Sequence, residues 1–129
     1  MYITRFVRKD DKPNEEYFYI TKEAALRHMM LFTEDDSNLY RNISVLDEET
    51  NTVLAVIAFE GKRIPKLFHI GSKVQLVEAW VKPEELDNIY EITNLNERTE
   101  RAIICCLTST MNIKSTEMVG FEMIKPCKS

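Results

Sequence analysis

The sequence predicts an α+β protein in which an N-terminal ββαββ lobe packs on a C-terminal small β-barrel. Three observations carry this. Ala25, Met29 and Phe32 recur at helical spacing, hairpin-like patterns lie on both sides of them, and from Phe68 to Ile124 short branched and aromatic runs alternate with turns. The 129 residues match the usual size of one domain, and only three Gly and four Pro argue against a long flexible linker. One compact folding unit in two lobes, residues 1–60 and 61–129, is expected.

Tyr2 to Arg8 reads as a strand and Tyr17 to Ile20 as a second, joined as a hairpin by the polar run from Asp10 to Glu16. Thr21 is a good N-cap for a helix from Lys22 to about Phe32, with Leu26 and Met30 beside its apolar face and Lys22, Glu23 and Arg27 opposite. Glu34-Asp35-Asp36 ends it, although carboxylates are slightly unfavourable at the negative end of the helix dipole. Leu39 to Leu46 and Thr52 to Phe59 form the clearest hairpin, around the loop Asp47 to Asn51. In its second strand Val53, Ala55, Ile57 and Phe59 alternate with the equally apolar Leu54, Val56 and Ala58. Such a strand is covered on both faces.

Glu60 to Lys66, with a glycine, a proline and three cations, is the predicted boundary. Beyond it Lys73 to Val77, Ile89 to Leu95, Arg101 to Leu107 and Thr116 to Ile124 read as strands. Pro83 to Asp87 reads as a single helical turn, since proline suits the first helical position and early carboxylates suit the positive dipole end. Asn94 to Thr99 is the hairpin loop between the second and third of these strands. Ala102 to Leu107 is again apolar on both faces.

The order Gly71-Ser72-Lys73-Val74, a strand, an insertion from Trp80 to Asp87, two hairpin-paired strands and a closing Glu117-Met118-Val119 resembles SH3-like small barrels. In those barrels the first strand opens with a Gly-Asp-x-Val signal; here serine stands in place of the aspartate. The resemblance spans less than half of the chain and implies a fold that binds more often than it transforms, without selecting a ligand. The whole chain also looks like short proteins encoded on phages and conjugative elements of Gram-positive bacteria. That likeness implies a mobile-element setting and brings no activity with it.

Charge narrows the partners. The net charge is −4, and it is uneven: residues 1–60 hold seven Lys/Arg against twelve Asp/Glu, whereas residues 61–129 hold ten against nine. Glu34 to Asp36 and Asp47 to Glu49 are expected in solvated loops, where like charges repel least. A nucleic-acid partner is disfavoured, because phosphates need a clustered positive surface. The one such cluster is Lys62, Arg63 and Lys66, followed by Lys73, for which Phe68 and Trp80 offer stacking rings. A solvated linker is the simpler reading of that cluster.

Cysteine chemistry is expected to be inert. The three cysteines are an odd number, and Cys105-Cys106 would point to opposite faces of a strand, so no disulfide framework is predicted and a reducing, cytoplasmic setting fits. Neither a secretory signal nor a membrane span is read in the sequence. His28 and His69 lack histidine or cysteine partners at metal-site spacing, and the paired carboxylates lie in polar runs that would not raise their pKa. No cofactor fingerprint is present.

The expected function is therefore a non-enzymatic protein-interaction module with an accessory or host-interaction role on a phage or other mobile element. Trp80 and Tyr90 are its candidate partner-binding aromatics, and Lys62, Arg63, Lys66 and Lys73 its candidate cations. A single-stranded RNA- or DNA-binding barrel using those cations is the rival class. An acidic inhibitor of a host nucleic-acid-binding enzyme is a third, if the carboxylate clusters share one face. A homodimer through an exposed sheet edge or a Met-rich face is compatible with the composition.

Overall fold

The computed structural model describes residues 1–10, 12–32, 40–59, 66–80, 83, 87–108 and 116–127, with only the backbone of Trp80. The chain divides into two compact units, Met1–Phe68 and His69–Ser129. Both are built on antiparallel β-structure, and one carries the helix, which makes the protein α+β.

The first unit contains β1 (Tyr2–Arg8), β2 (Glu15–Tyr19), α1 (Lys22–Met30), β3 (Tyr40–Asp47), β4 (Thr52–Ala58) and all but the last residue of β5 (Lys66–His69). Its sheet has the order β2-β1-β3-β4-β5. Thr21 caps the helix as predicted, its hydroxyl accepting from the Ala24 amide at 3.2 Å. Ala25 and Met29, one turn apart, are buried against Phe6, Ile43, Val45, Ala55, Ile57 and Phe59. Thr4 lies buried on the same face of β1, and its hydroxyl donates to the Ala25 carbonyl at 2.9 Å, tying helix to sheet. Strand β4 is buried on both alternating sets, as its composition requires. The predicted ββαββ pattern is extended by Lys66–His69, which adds a fifth strand beside β4.

Immediately after β5 the chain turns sharply. Gly71 has φ 85°, a conformation open to glycine without strain. The Ser72 amide donates to the His69 carbonyl at 3.1 Å and the His69 amide to the Ser72 hydroxyl at 3.1 Å. In the second unit follow β6 (Lys73–Leu76), a 3-10 turn (Glu78–Trp80), β7 (Tyr90–Asn96), β8 (Arg101–Cys106), β9 (Thr116–Gly120), a second 3-10 turn (Phe121–Met123) and β10 (Ile124–Pro126). The order is β10-β6-β7-β8-β9, with every pair antiparallel. Val74, Tyr90, Ile92, Ala102, Ile104, Cys106, Val119 and Ile124 are buried along it.

Two expectations for this unit are corrected. The strand pairing does not close into a barrel: β9 and β10 are the two edges of an open sheet, and no ladder joins them among the described residues. The single closing strand read from Thr116 to Ile124 is broken at Phe121–Met123, where burial of the Phe121 ring is met by a 3-10 turn. Only Ile124–Pro126 then remains to pair with β6. Among the described residues, no helix is long and apolar enough to cross a membrane.

Candidate functional site

The most distinctive surface of the first unit is built around β2. This strand is the outer edge of its sheet, pairing with β1 in an unbroken register from Tyr2 opposite Tyr19 to Phe6 opposite Glu15. Successive side chains of a strand point to opposite faces. Glu15, Tyr17 and Tyr19 therefore share the helix-bearing face with Thr4 and Phe6, while Glu16 and Phe18 occupy the other. Tyr17 is 43% exposed, Phe18 55%, and Ile20 just beyond the strand 82%. The edge thus offers apolar surface on both faces.

Its two carboxylates are already engaged. On one face Glu16 Oε2 accepts from Arg5 Nη2 at 3.1 Å and Nε at 3.2 Å. On the other, Glu15 Oε2 accepts from Arg8 Nη1 at 2.8 Å and from the Tyr40 hydroxyl at 3.0 Å. Arg8 also donates to both oxygens of Asp10, at 2.9 and 2.8 Å, and its guanidinium sits 5.9 Å from the Tyr40 ring centroid. Hydrogen bonding to Arg8 pushes the Asp10 carboxyl down to about 2. The same guanidinium, with help from Tyr40, lowers Glu15, while burial and the bond to Glu15 raise the Tyr40 phenol.

Behind the edge, His28 is packed among aromatic rings. Its centroid lies 4.8 Å from that of Tyr17, 5.2 Å from Phe6, 5.7 Å from Tyr19 and 6.0 Å from Phe32. Phe6 in turn stands edge-on to Phe32 at 5.0 Å and to Tyr17 at 5.6 Å. Nδ1 of His28 lies 2.8 Å from the Tyr19 hydroxyl, and partial burial lowers the imidazole pKa. This imidazole is half-buried at the edge of the core. It braces the inner face of β2.

Of the partner-binding candidates singled out in the sequence, Tyr90, Phe68, Lys66 and Lys73 lie among the described residues. Tyr90 is 5% exposed, on the face of β7 that places it opposite Cys106, so it cannot line an open groove. Phe68 is fully buried in β5 and has no face for a stacked base. Lys66 is half-buried in β5, and Lys73 is exposed on β6 directly opposite Glu91. Lys62 and Arg63 lie outside the described residues, as do Glu34 to Asp36, the Trp80 side chain and most of the Pro83 to Asp87 turn. Of the second acidic run, Asp47 is half-buried and caps its own turn, Oδ1 accepting from the Glu49 amide at 3.1 Å.

Cys105 and Cys106 do fall on opposite faces of β8, half-buried and buried respectively, and both are free thiols, as is Cys127. Among the described residues, no three or more His, Cys, Asp or Glu side chains are grouped to hold a metal ion. One surface cleft of about 220 Å³ in the second unit is lined by Asn94, Asn96, Arg101, Ile103 and Met118, among others, and a second of about 430 Å³ by Gln75, Ile89, Lys125, Pro126 and Cys127. Among the described residues, neither is lined by a histidine or a carboxylate.

Tyr17, Phe18 and Ile20 were legible as strand residues but not as a surface. The signal was there in the three consecutive rings Tyr17-Phe18-Tyr19: a two-residue repeat cannot turn all three toward one core. Comparison of the chain with protein-family models, with curated proteins and with solved structures returned no match.

Proposed function

We propose that the protein is a non-enzymatic protein-interaction module whose β2 edge accepts an extended strand from a protein partner, in an accessory role on a phage or other mobile element. The observation that carries this reading is an outer strand of regular register bearing exposed Tyr17 and Phe18 on its two faces. An edge of this kind leaves half of its backbone donors and acceptors available for a further strand. Exposed aromatic side chains beside it supply the contact area on which recognition depends.

For the second unit, the order β10-β6-β7-β8-β9, with a 3-10 turn before the last strand, supports an SH3-like strand arrangement in an open sheet. The three free thiols suit a reducing, cytoplasmic setting. Burial of Phe68 and Tyr90 counts against the nucleic-acid alternative, which needs exposed rings beside its cations.

The test compares wild type with Phe18→Lys, both immobilised, for retention of proteins and of single-stranded RNA at low salt. Protein retention that Phe18→Lys abolishes supports the reading. Retention of RNA that is insensitive to Phe18 and lost in Lys73→Glu would replace it with the nucleic-acid alternative.

A further inference from the structure

We infer that the strand accepted by the β2 edge is β2 of a second copy of this chain, so that two first sheets join across a two-fold axis into one continuous sheet. This rests on the strand-accepting role proposed above and names its partner. The inference starts from how edges are normally guarded, by lysine, proline, bulges or unpaired charges that discourage a further strand. Edge β10 follows that rule, with exposed Lys125 and Pro126 in its three residues. Glu15–Tyr19 does not: it has no lysine, proline or glycine, and its ladder with β1 has no bulge.

The two charges it does carry are held by its own sheet, Glu16 by Arg5 and Glu15 by Arg8 and Tyr40. A basic partner peptide would have to compete with these guanidinium contacts. What the edge leaves uncommitted is aromatic and uncharged, and a second copy of the edge complements it.

The sequence of β2 also suits self-pairing. In an antiparallel pair centred on Phe18, each Phe18 faces the other, Tyr17 of one copy faces Tyr19 of its partner, and Glu16 faces Ile20. No carboxylate stands opposite a carboxylate. Aromatic cross-strand pairs of this kind are among the stabilising ones, whereas like charges directly opposite would oppose the pairing. An isologous contact of this type closes on two copies and leaves no free β2 edge for further growth.

The net charge of −4 sets a signature that separates this partner from a basic one. Two copies of like charge repel through solvent, so screening tightens an apolar self-association, whereas it weakens binding to an oppositely charged partner.

Sedimentation velocity of the full chain over a concentration series, at low and at high salt, tests the inference. A monomer–dimer equilibrium that tightens with salt is expected. Phe18→Lys should weaken it by about tenfold or more, and Met118→Lys, on edge β9, should leave it unchanged. Under mild oxidation Phe18→Cys should give an intermolecular disulfide at that position, identified by peptide mass spectrometry, and Met118→Cys should not. Both positions are exposed, and circular dichroism verifies that the variants fold. A chain that stays monomeric at every concentration, or a dimer indifferent to Phe18→Lys, overturns the inference. If the chain is monomeric yet retains another protein in a Phe18-dependent way, self-association fails and the strand-accepting role stands. If no retention depends on Phe18, both fail.

Discussion

The Tyr19 hydroxyl lies 2.8 Å from Nδ1 of His28, joining the edge strand to the helix behind it. With Tyr17 and Phe6 packed on the same imidazole, the inner face of β2 is held in place while its outer edge stays open. Rigid aromatic support of an exposed strand lowers the ordering cost of adding a partner strand.

Burial of His28 makes stability depend on pH in a defined direction. Burial lowers the folded pKa of His28 below its ordinary value of 6.5, so the unfolded chain binds more protons than the native one between those two values. The contribution of His28 is complete above pH 6.5 and is lost as pH falls through the lowered value. The urea midpoint should be lower at pH 5 than at pH 7.5, and His28→Gln should narrow that gap. An equal gap in the variant would assign the dependence to other groups.

A second, more acidic transition is expected from the Arg8 cluster. Hydrogen bonds from Arg8 lower both Asp10, to about 2, and Glu15, so their stabilisation is present above their unfolded pKa values of 3.8 and 4.5 and fades as pH falls toward 2. Arg8→Gln should flatten this part of the stability profile, measured by thermal unfolding between pH 5 and pH 2. Because Asp10 is exposed and Glu15 only partly buried, the effect should also shrink in high salt.

Phe6 and Phe18 lie on opposite faces of one hairpin and should behave oppositely. Phe6 is 2% exposed and contacts Tyr17, His28, Phe32 and Tyr40, so Phe6→Ala should cost about 3–5 kcal/mol in chemical denaturation. Phe18→Ala should change the stability of the monomer by less than about 1 kcal/mol, as expected for a half-exposed ring. A large loss in the second variant at low concentration would mean that Phe18 is a packing residue.

The β3–β4 turn places Asn51 at φ 54°, a left-handed conformation that asparagine tolerates and β-branched residues resist. Asn51→Gly should leave stability unchanged or slightly higher. Asn51→Val should lower it by about 1–2 kcal/mol, read from the thermal midpoint.

Legibility in the sequence followed locality. Thr21 with Ala25 and Met29 announces α1, and the doubly apolar β4 and the β7–β8 hairpin are written in alternation that needs no distant partner. Lys66–His69 was hidden because four residues that start on the last position of the cationic boundary stretch have no periodicity of their own and become a strand only by pairing with β4. The break at Phe121 was hidden for a similar reason: Met118 to Ile124 scans as one apolar strand, and only tertiary burial of Phe121 interrupts it. The candidate site depends on sheet order, which is non-local. A β1–β2 hairpin has two free sides, and β3 returning beside β1 leaves β2 outermost. The burial of Tyr90 and Phe68 is not legible in the sequence, because aromatic identity does not say which face of a strand is covered.

Amide hydrogen exchange followed across Glu15–Tyr19 as protein concentration rises tests the role of this edge most directly. Outward-pointing β2 amides should slow by about tenfold or more at high concentration, with Phe18→Lys restoring fast exchange. Exchange in β2 that is the same at every concentration, with or without protection of β9 amides, would contradict self-pairing through Tyr17 and Phe18.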